Sequence, residues 1–286
     1  MNAVGRARPQ DIVLAMKDMV SPPQVYSRLL AVLDRRDWTV GDIAAVIERD
    51  AGVASRTLRL ANSPYYGMYR RVSTVADAVA VLGTAELQTL VLATSVLESF
   101  TGIPPGLLSL QDHWRRAVRV SAVATCLAKA STTDMNTREL LIAGLLHDVG
   151  SLVVCLVLPE QAREAMLTRL PEEPGQPACL ECEVTGERAA VVGGTLLEHW
   201  SLPASLCDAV TWHTAPGEQH ERRVAFVHVA WRVSQAMENG IERPEQAIPV
   251  EDPAWRLAGL RAPDVLDLMG EAESEFRSAM ALFGLS

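Results

Sequence analysis

The fold is decided by the stretch from Leu140 to Leu158, which reads LLIAGLLHDVGSLVVCLVL. It is the most apolar part of the chain, yet it carries His147 and Asp148 near its middle. An unpaired carboxylate is costly inside a bilayer and inside a protein core, and it needs a partner or a metal. The pattern therefore favours a buried core segment over a membrane span, and no contact with a membrane is expected.

The composition of the chain predicts packed helices. Of its 286 residues, 49% are hydrophobic but only 5% are aromatic. Most of the apolar bulk comes from Ala, Val and Leu, which suit helices better than a β-sandwich. Apolar residues recur at helical spacing, and Thr39 followed by Asp42 indicates a capping box at one helix start. The predicted fold class is all-α.

The charge and the cysteine content limit the class of partner and the compartment. Lys and Arg number 26 against 35 for Asp and Glu, which leaves a net charge of −9. This balance disfavours nonspecific binding to a phosphate backbone, so DNA is not an expected partner. The N-terminus has no apolar signal-peptide region, and the five cysteines are an odd, scattered set. A cytoplasmic protein with reduced thiols is expected.

The distribution of proline and glycine predicts the domain organisation. A cluster of both between residues 101 and 109 indicates a boundary. Residues 8–102 read as short helices of an N-terminal helical subdomain, and residues 103–238 as longer helices of a second bundle. Residues 239–286 read as a C-terminal extension that ends in a helix.

The His147–Asp148 doublet has two interpretations. An imidazole and a carboxylate together suit a divalent metal, which activates water and neutralises phosphoryl oxygens in phosphohydrolysis. Neighbouring helical residues point about 100° apart, so such a site needs ligands from other helices as well. Alternatively, Asp148 caps a neighbouring helix and His147 is a core histidine with a satisfied hydrogen bond.

Several separate motifs carry a family resemblance. In chain order they are LRLANSPYYG at residues 58–67, RVSTVADAVAVLG at 71–83, GLLHDVG at 144–150 and LLEHWSLP at 196–203. Their order and spacing resemble the HDOD family, bacterial signalling relatives of the HD-domain metal phosphohydrolases. The resemblance covers about residues 20–235. It implies that the second bundle is HD-like and that the protein acts in bacterial signal transduction.

The resemblance also implies that most metal ligands are missing. The ligand positions of HD phosphohydrolases fall on Arg116, Ala189, Trp212 and Trp231, and His113 lies one turn before the first of these. His147, Asp148 and His213 remain as vestigial ligands. An arginine cannot ligate, and neither Ala nor Trp offers a lone pair. We therefore expect no bound metal, no cofactor and no enzymatic activity, with Arg116 paired to Asp148 in place of a metal.

Three functions follow as hypotheses. The first is a non-catalytic module that binds a regulatory protein of a bacterial signalling pathway. The second is a sensor that binds a phosphate-containing ligand or a cyclic dinucleotide in the former metal pocket, with Arg115, Arg116, His147, Asp148 and His213 as the candidate residues. The third is a residual metal-dependent phosphohydrolase.

A second group of residues predicts a partner surface in the N-terminal subdomain. It consists of a basic patch and two aromatic residues in a turn: Arg56, Arg59, Arg70, Arg71, Tyr65 and Tyr66. Arginine and tyrosine are enriched where proteins bind partners, and arginine pairs well with acidic groups. The alternative is that the tyrosines cover the core and Asn62 and Gly67 hold a tight turn.

Overall fold

The structure is a computed structural model that describes residues 8–16, 24–62, 70–100, 102–131, 135–168, 189–241, 243, 248–249 and 252–283. These residues form helices and contain no strand, which confirms the all-α prediction. The helices are α1 (Pro9–Met16), α2 (Gln24–Leu33), α3 (Val40–Ile47), α4 (Ala51–Ala61), α5 (Val75–Ser99), α6 (Leu110–Ala130), α7 (Thr137–Leu146), α8 (Val149–Val157), α9 (Pro159–Thr168), α10 (Ala189–His199), α11 (Ala204–Trp212), α12 (Arg222–Glu238), α13 (Pro253–Ala258) and α14 (Ala262–Phe283).

The chain divides into two compact units. The bundle unit comprises Met1–Met19 and Gly102–Ala279, and the small unit comprises Val20–Thr101 and Met280–Ser286. This division differs from the predicted one at both ends of the chain. Helix α1 packs against α8 and α10 of the bundle rather than with the N-terminal helices, and α13 packs against α12.

The small unit is built from α2 to α5. Helix α3 begins with the predicted capping box, because the Thr39 hydroxyl accepts from the Asp42 amide while the Asp42 carboxylate accepts from the Thr39 amide at 2.9 Å. Helix α5 is kinked at Gly83, whose φ of 76° is not helical. The capping box satisfies backbone groups at the start of α3, and glycine adopts the positive φ at the kink of α5 at little steric cost.

The apolar stretch that decides the fold lies in the bundle unit. Glu139–Val157 is long and apolar enough to cross a membrane, but 78% of it is buried inside the protein. His147 and Asp148 interrupt it, so that it forms the separate helices α7 and α8. These features are those of core helices and are consistent with a soluble protein.

Two glycines allow the helices around this stretch to approach closely. A side-chain Cβ at Gly144 would lie 2.6 Å from the Ser121 Cα on α6, and one at Gly150 would lie 1.8 Å from the Ala189 carbonyl oxygen on α10. Neither position can hold a larger residue without moving a helix backbone. The junction between α7 and α8 is therefore pressed against both α6 and α10.

Candidate functional site

Three buried histidines and one aspartate converge at the α7–α8 junction. His113 lies on α6, His147 and Asp148 form the junction, and His213 directly follows α11. The histidines are 2%, 4% and 3% exposed, respectively, whereas about a third of the Asp148 side chain remains accessible. We call these four residues the histidine cluster. Asp148 is the member of the cluster that solvent can reach.

The cluster is held together by short side-chain contacts. The His113 Nδ1 lies 3.5 Å from the Asp148 Oδ2, and the Ser151 hydroxyl donates a hydrogen bond to the Asp148 Oδ1. The rings of His147 and His213 meet edge to face, with their centroids 5.2 Å apart. The cluster therefore joins residues from α6, the α7–α8 junction and the end of α11.

Backbone carbonyls determine the orientation of two of the imidazoles. The His147 Nδ1 lies 2.8 Å from the Gly144 carbonyl oxygen, and the His213 Nδ1 lies 2.7 Å from that of Val210. A carbonyl can only accept, so each Nδ1 carries the proton and each Nε2 is the lone-pair atom of the neutral ring. His113 differs from both, because neither of its buried ring nitrogens makes a hydrogen bond to any of the described residues.

Burial controls the charge of the cluster. It lowers the pKa of His113 to about 3, and nearby His147 and Arg116 lower it as well. It also lowers the pKa of His147 to about 4, although the hydrogen bond to Gly144 opposes this shift. Burial raises the pKa of Asp148, and the Ser151 hydrogen bond and Arg116 partly offset this rise. Both histidines are therefore neutral at neutral pH.

The expected ion pair between Arg116 and Asp148 is wrong. Within the described residues, Asp148 contacts His113 and Ser151, and no ion pair joins it to Arg116. Arg115 and Arg116 are both exposed on α6, because the neighbouring Trp114 and Ala117 take the buried face of that helix. Arg116 acts on the cluster only through its charge.

His113 was missed as a site residue by the sequence analysis. The resemblance placed the α6 ligand position on Arg116, although His113 lies three residues earlier and therefore on nearly the same side of the helix. The apolar pattern of α6 carries a signal that His113 is the residue turned toward the cluster. Trp114, Ala117 and Val118 mark the buried face, and His113 lies at its edge.

The residues of the cluster do not fit a metal ion as they are arranged. Among the described residues, no group of three or more His, Cys, Asp or Glu is placed to hold one. The positions that would complete the ligand set hold residues whose side chains cannot bind a metal. Ala189 packs its carbonyl against Gly150, the Trp231 ring lies 5.3 Å from the His213 ring, and Trp212 is exposed and stacks on His220.

The predicted partner surface lies in the small unit. Arg59, Arg70 and Arg71 are exposed, whereas Arg56 is half-buried and packs over Gly52 beside Asp50. Tyr65 and Tyr66 lie outside the described residues.

Asn62 fixes the backbone of this surface. Its side-chain amide donates to the Val72 carbonyl, and its oxygen accepts from the Val72 amide, both at 2.8 Å. Arg59 lies one helical turn before Asn62, and Arg71 directly precedes Val72. We call Arg59, Arg70 and Arg71 the arginine corner.

Comparisons with known proteins agree with the fold. An HDOD protein of unknown function from Geobacter sulfurreducens superposes with a TM-score of 0.71 at 23% identity, over 95% of this chain and 97% of its own. A protein assigned to signal transduction from Marinobacter aquaeolei superposes with a TM-score of 0.72 at 20% identity, over 99% of this chain and 67% of its own. At these identities the comparisons establish a common fold.

Sequence comparison identifies the family. An uncharacterized protein of Treponema pallidum is 29% identical over 202 residues, which are 67% of this chain but only 37% of that relative. This chain therefore matches little more than a third of that longer protein. The HDOD domain model matches residues 19–216, well over half of the chain, and this match includes the arginine corner, His113, His147, Asp148 and His213. The protein belongs to the HDOD family.

Proposed function

We propose that this protein is a non-catalytic, cytoplasmic signal-transduction module that acts by binding a regulatory protein. One observation carries the proposal: among the described residues, the histidine cluster keeps part of a hydrolase ligand set but not an arrangement that holds a metal. A two-metal hydrolytic site needs a clamp of several anionic or imidazole ligands around the phosphoryl group. Asp148 is the cluster's only carboxylate, and Trp231 packs against His213 on another side.

The arginine corner is the proposed docking surface. Residues 20–101 hold eight of the 26 Lys and Arg and eight of the 35 Asp and Glu, so the rest of the chain carries the whole charge of −9. Within the small unit, three carboxylates already accept hydrogen bonds at helix starts: Asp42 from the Thr39 amide, Asp50 from the Val53 amide and Asp77 from the Thr74 hydroxyl. No ion pair to Arg59, Arg70 or Arg71 is found among the described residues.

Unpaired guanidinium groups on a fixed backbone favour an acidic protein partner. Guanidinium binds carboxylates through two parallel hydrogen bonds, and the Asn62 contacts reduce the ordering cost of that surface on binding. The net charge of the chain opposes a long polyanion such as a nucleic acid, which would repel the rest of the molecule.

The test compares two triple variants that change charge by the same amount. Arg59, Arg70 and Arg71 are replaced by Glu in one, and the equally exposed Arg28, Arg35 and Arg36 of the same unit in the other. Proteins captured by the wild-type chain from its own cells are purified, and their affinities for all three forms are measured by calorimetry. We expect a loss of at least about 100-fold in the first variant alone. Equal losses in both variants would reject the surface.

The metal part of the proposal has a separate test. The wild-type chain is purified without chelator, exchanged into buffer with manganese, iron or zinc, and its metal content is measured by elemental analysis. We expect much less than one equivalent of each metal. One equivalent or more, together with hydrolysis of a phosphodiester substrate that is lost in Asp148→Asn, would instead establish a metal-dependent phosphohydrolase.

A second candidate function is a sensor for a small phosphate-containing ligand. The observation that favours it is His113, which is buried without a hydrogen bond next to the accessible Asp148. Such a group costs about 1–3 kcal/mol, a cost that a bound polar ligand would relieve. Arg115 and Arg116 lie on the same helix and would supply positive charge at the entrance.

This candidate is tested by thermal unfolding with inorganic phosphate and with cyclic diguanylate. A ligand that binds only the folded chain raises the melting temperature, by an amount that corresponds to about 2.7 kcal/mol at a hundredfold excess over Kd. The rise should vanish in Arg116→Glu and persist in Arg28→Glu. Equal melting temperatures with and without both ligands would reject the sensor for these ligands.

A further inference from the structure

The C-terminal segment reaches the histidine cluster through a chain of direct contacts. This segment, which we call the clasp, comprises Asp252, helix α13 and the following residues to Leu260. It is anchored by apolar burial, since Ala254 and Ala258 are fully buried and Trp255 is 6% exposed. The Trp255 indole also donates a hydrogen bond to the Pro249 carbonyl at 3.1 Å.

Asp252 links the clasp to His228 on α12. One carboxylate oxygen accepts from the Ala254 amide at 2.8 Å and caps α13, while the other lies 3.7 Å from the His228 Nε2. His228 is 6% exposed, and its Nε2 makes no hydrogen bond. The same carboxylate therefore both caps α13 and lies beside a buried imidazole of α12.

His228 in turn holds the end of α11. Its Nδ1 donates a hydrogen bond of 2.6 Å to the carbonyl oxygen of His213, the residue whose ring belongs to the histidine cluster. The Trp231 ring lies edge-on to both imidazoles, with centroids 5.3 Å from His213 and 5.9 Å from His228. The backbone and the ring of His213 are thus both held from α12.

The charge of His228 decides whether its contact with Asp252 is attractive. Because the His228 Nδ1 donates to a carbonyl, the Nε2 of the neutral ring directs a lone pair toward the carboxylate, and the contact becomes attractive when the Nε2 is protonated. Burial lowers the pKa of His228, whereas the His213 carbonyl and Asp252 raise it and Arg232 lowers it further. Among the described residues, these are the polar and charged groups that face this ring. Arg232 is buried beside them, and Asp252 raises its pKa against the effect of burial.

We propose that the clasp regulates the histidine cluster: Asp252 docked on His228 fixes the His213 carbonyl and ring, and withdrawal of the clasp releases both. The inference rests on the second candidate function, because it concerns the same cluster. A signal that displaces the clasp would change the shape of the cluster without entering it. Conversely, a ligand that requires the fixed His213 ring would favour the docked clasp by the same free energy.

The test uses Asp252→Ser in the full chain. Serine keeps the helix cap but is too short to reach His228, so it removes one contact and retains the other. The matched control is Arg256→Ser, which breaks the exposed ion pair of α13 with Glu218 and leaves His228 untouched. Hydrogen exchange is measured at the amides of residues 212–215, together with the ring ¹⁵N shifts of His147 and His213.

We expect exchange at residues 212–215 to rise about tenfold in Asp252→Ser, which corresponds to about 1.4 kcal/mol. The His213 ring signals should broaden or shift, and the Arg256→Ser control should match the wild-type chain at both sites. Faster exchange in the clasp with unchanged exchange and ring signals at His213 would overturn the proposal.

A second measurement keeps the proposal testable if Asp252→Ser does not fold. Urea unfolding of His228→Asn, Asp252→Asn and the double variant forms a thermodynamic cycle that isolates the contact between the two side chains. A coupling free energy of zero, or one that shows repulsion between the two side chains, would contradict the link. Because neither test requires a ligand or a partner, failure here leaves the docking proposal intact, and failure of docking leaves the clasp intact.

Discussion

The histidine cluster and the arginine corner are both groups of polar residues that stand out in the sequence. They differ in how much each lowers the free energy of unfolding. The cluster is buried, and the pKa values of His113 and His147 are strongly lowered. The arginine corner is exposed on a unit with balanced charge. Burying polar groups costs free energy, whereas leaving them in water does not. Changes in the cluster should therefore alter stability, and changes in the corner should alter binding alone.

The largest effect is expected from Gly150→Ala, which acts on the helix packing that forms the cluster. The added Cβ would lie 1.8 Å from the Ala189 carbonyl oxygen and 2.7 Å from the Gly193 amide nitrogen. Both are backbone atoms, so α8 and α10 must separate. We expect a loss of about 4 kcal/mol or more in the free energy of unfolding, or failure to fold. Chemical denaturation followed by circular dichroism measures it.

Gly270→Ala on α14 is the matched control. A Cβ there meets no atom within 4 Å, so alanine should be neutral or should stabilise the helix by up to about 1 kcal/mol. Equal effects of the two substitutions would show that close packing at the α7–α8 junction does not position the cluster.

The pH dependence of stability should report the buried histidines. The pKa of His113 is lowered to about 3 from an ordinary value of 6.5. Because the unfolded chain then binds protons first, stability that is present above pH 6.5 is lost as pH falls toward 3. From pH 6.5 to pH 5, His113 alone should cost about 2 kcal/mol. Urea unfolding at several pH values measures this slope.

His113→Leu removes this contribution. Between pH 6.5 and pH 5 the free energy of unfolding of the variant should fall by about 2 kcal/mol less than that of the wild-type chain. At pH 7 the variant should be no less stable, because the ring nitrogens of His113 make no hydrogen bond to the described residues in the wild-type chain. His199→Leu, which removes an exposed imidazole, is the control and should follow the wild-type slope. If the free energy of unfolding of His113→Leu depends on pH as steeply as that of the wild-type chain, or more steeply, burial does not lower the pKa of His113.

Much of the architecture could be predicted from the sequence, because its signals are local. The Thr39–Asp42 capping box, the break at Gly83 and the buried Leu140–Leu158 stretch each depend on residues that are close in the chain. The place of α1 in the bundle could not be predicted in this way. Its partners α8 and α10 are more than a hundred residues away, and nothing in Pro9–Met16 specifies which apolar surface it covers.

The site was predicted only in part for the same reason. His147, Asp148 and His213, which the sequence singles out, lie together in the cluster, but the residue of α6 that joins them is His113 and not Arg116, three residues later. Positions three residues apart share a helix side, so a motif can be aligned with either of them. The distinction depends on which one faces α7, and that depends on the close approach at Gly144. Tertiary packing decides between His113 and Arg116.

The backbone of the arginine corner should show a moderate effect. Asn62→Ala removes two hydrogen bonds of 2.8 Å to Val72, one of which satisfies a partly buried backbone amide. We expect a loss of about 1 kcal/mol in the free energy of unfolding. Binding of the regulatory protein should weaken as well, because the arginines would then be less ordered before binding. Thermal unfolding and calorimetry on the same preparation separate the two effects, and an unchanged stability would refute the role of the Asn62 contacts.

The smallest effect on stability is expected from the arginines themselves. Replacement of Arg59, Arg70 and Arg71 by Glu should change the free energy of unfolding by less than about 0.5 kcal/mol, because the three side chains are exposed and make no ion pair within the described residues.

The triple variant of Arg28, Arg35 and Arg36 sets the scale for this comparison. It introduces the same charge change but breaks the Arg35–Asp37 ion pair, so it should be no more stable than the first variant. If the Arg59, Arg70 and Arg71 variant is the less stable one by more than about 1 kcal/mol, these arginines support the fold. The contrast with the buried cluster would then disappear, because side chains in both regions would contribute to the stability of the fold.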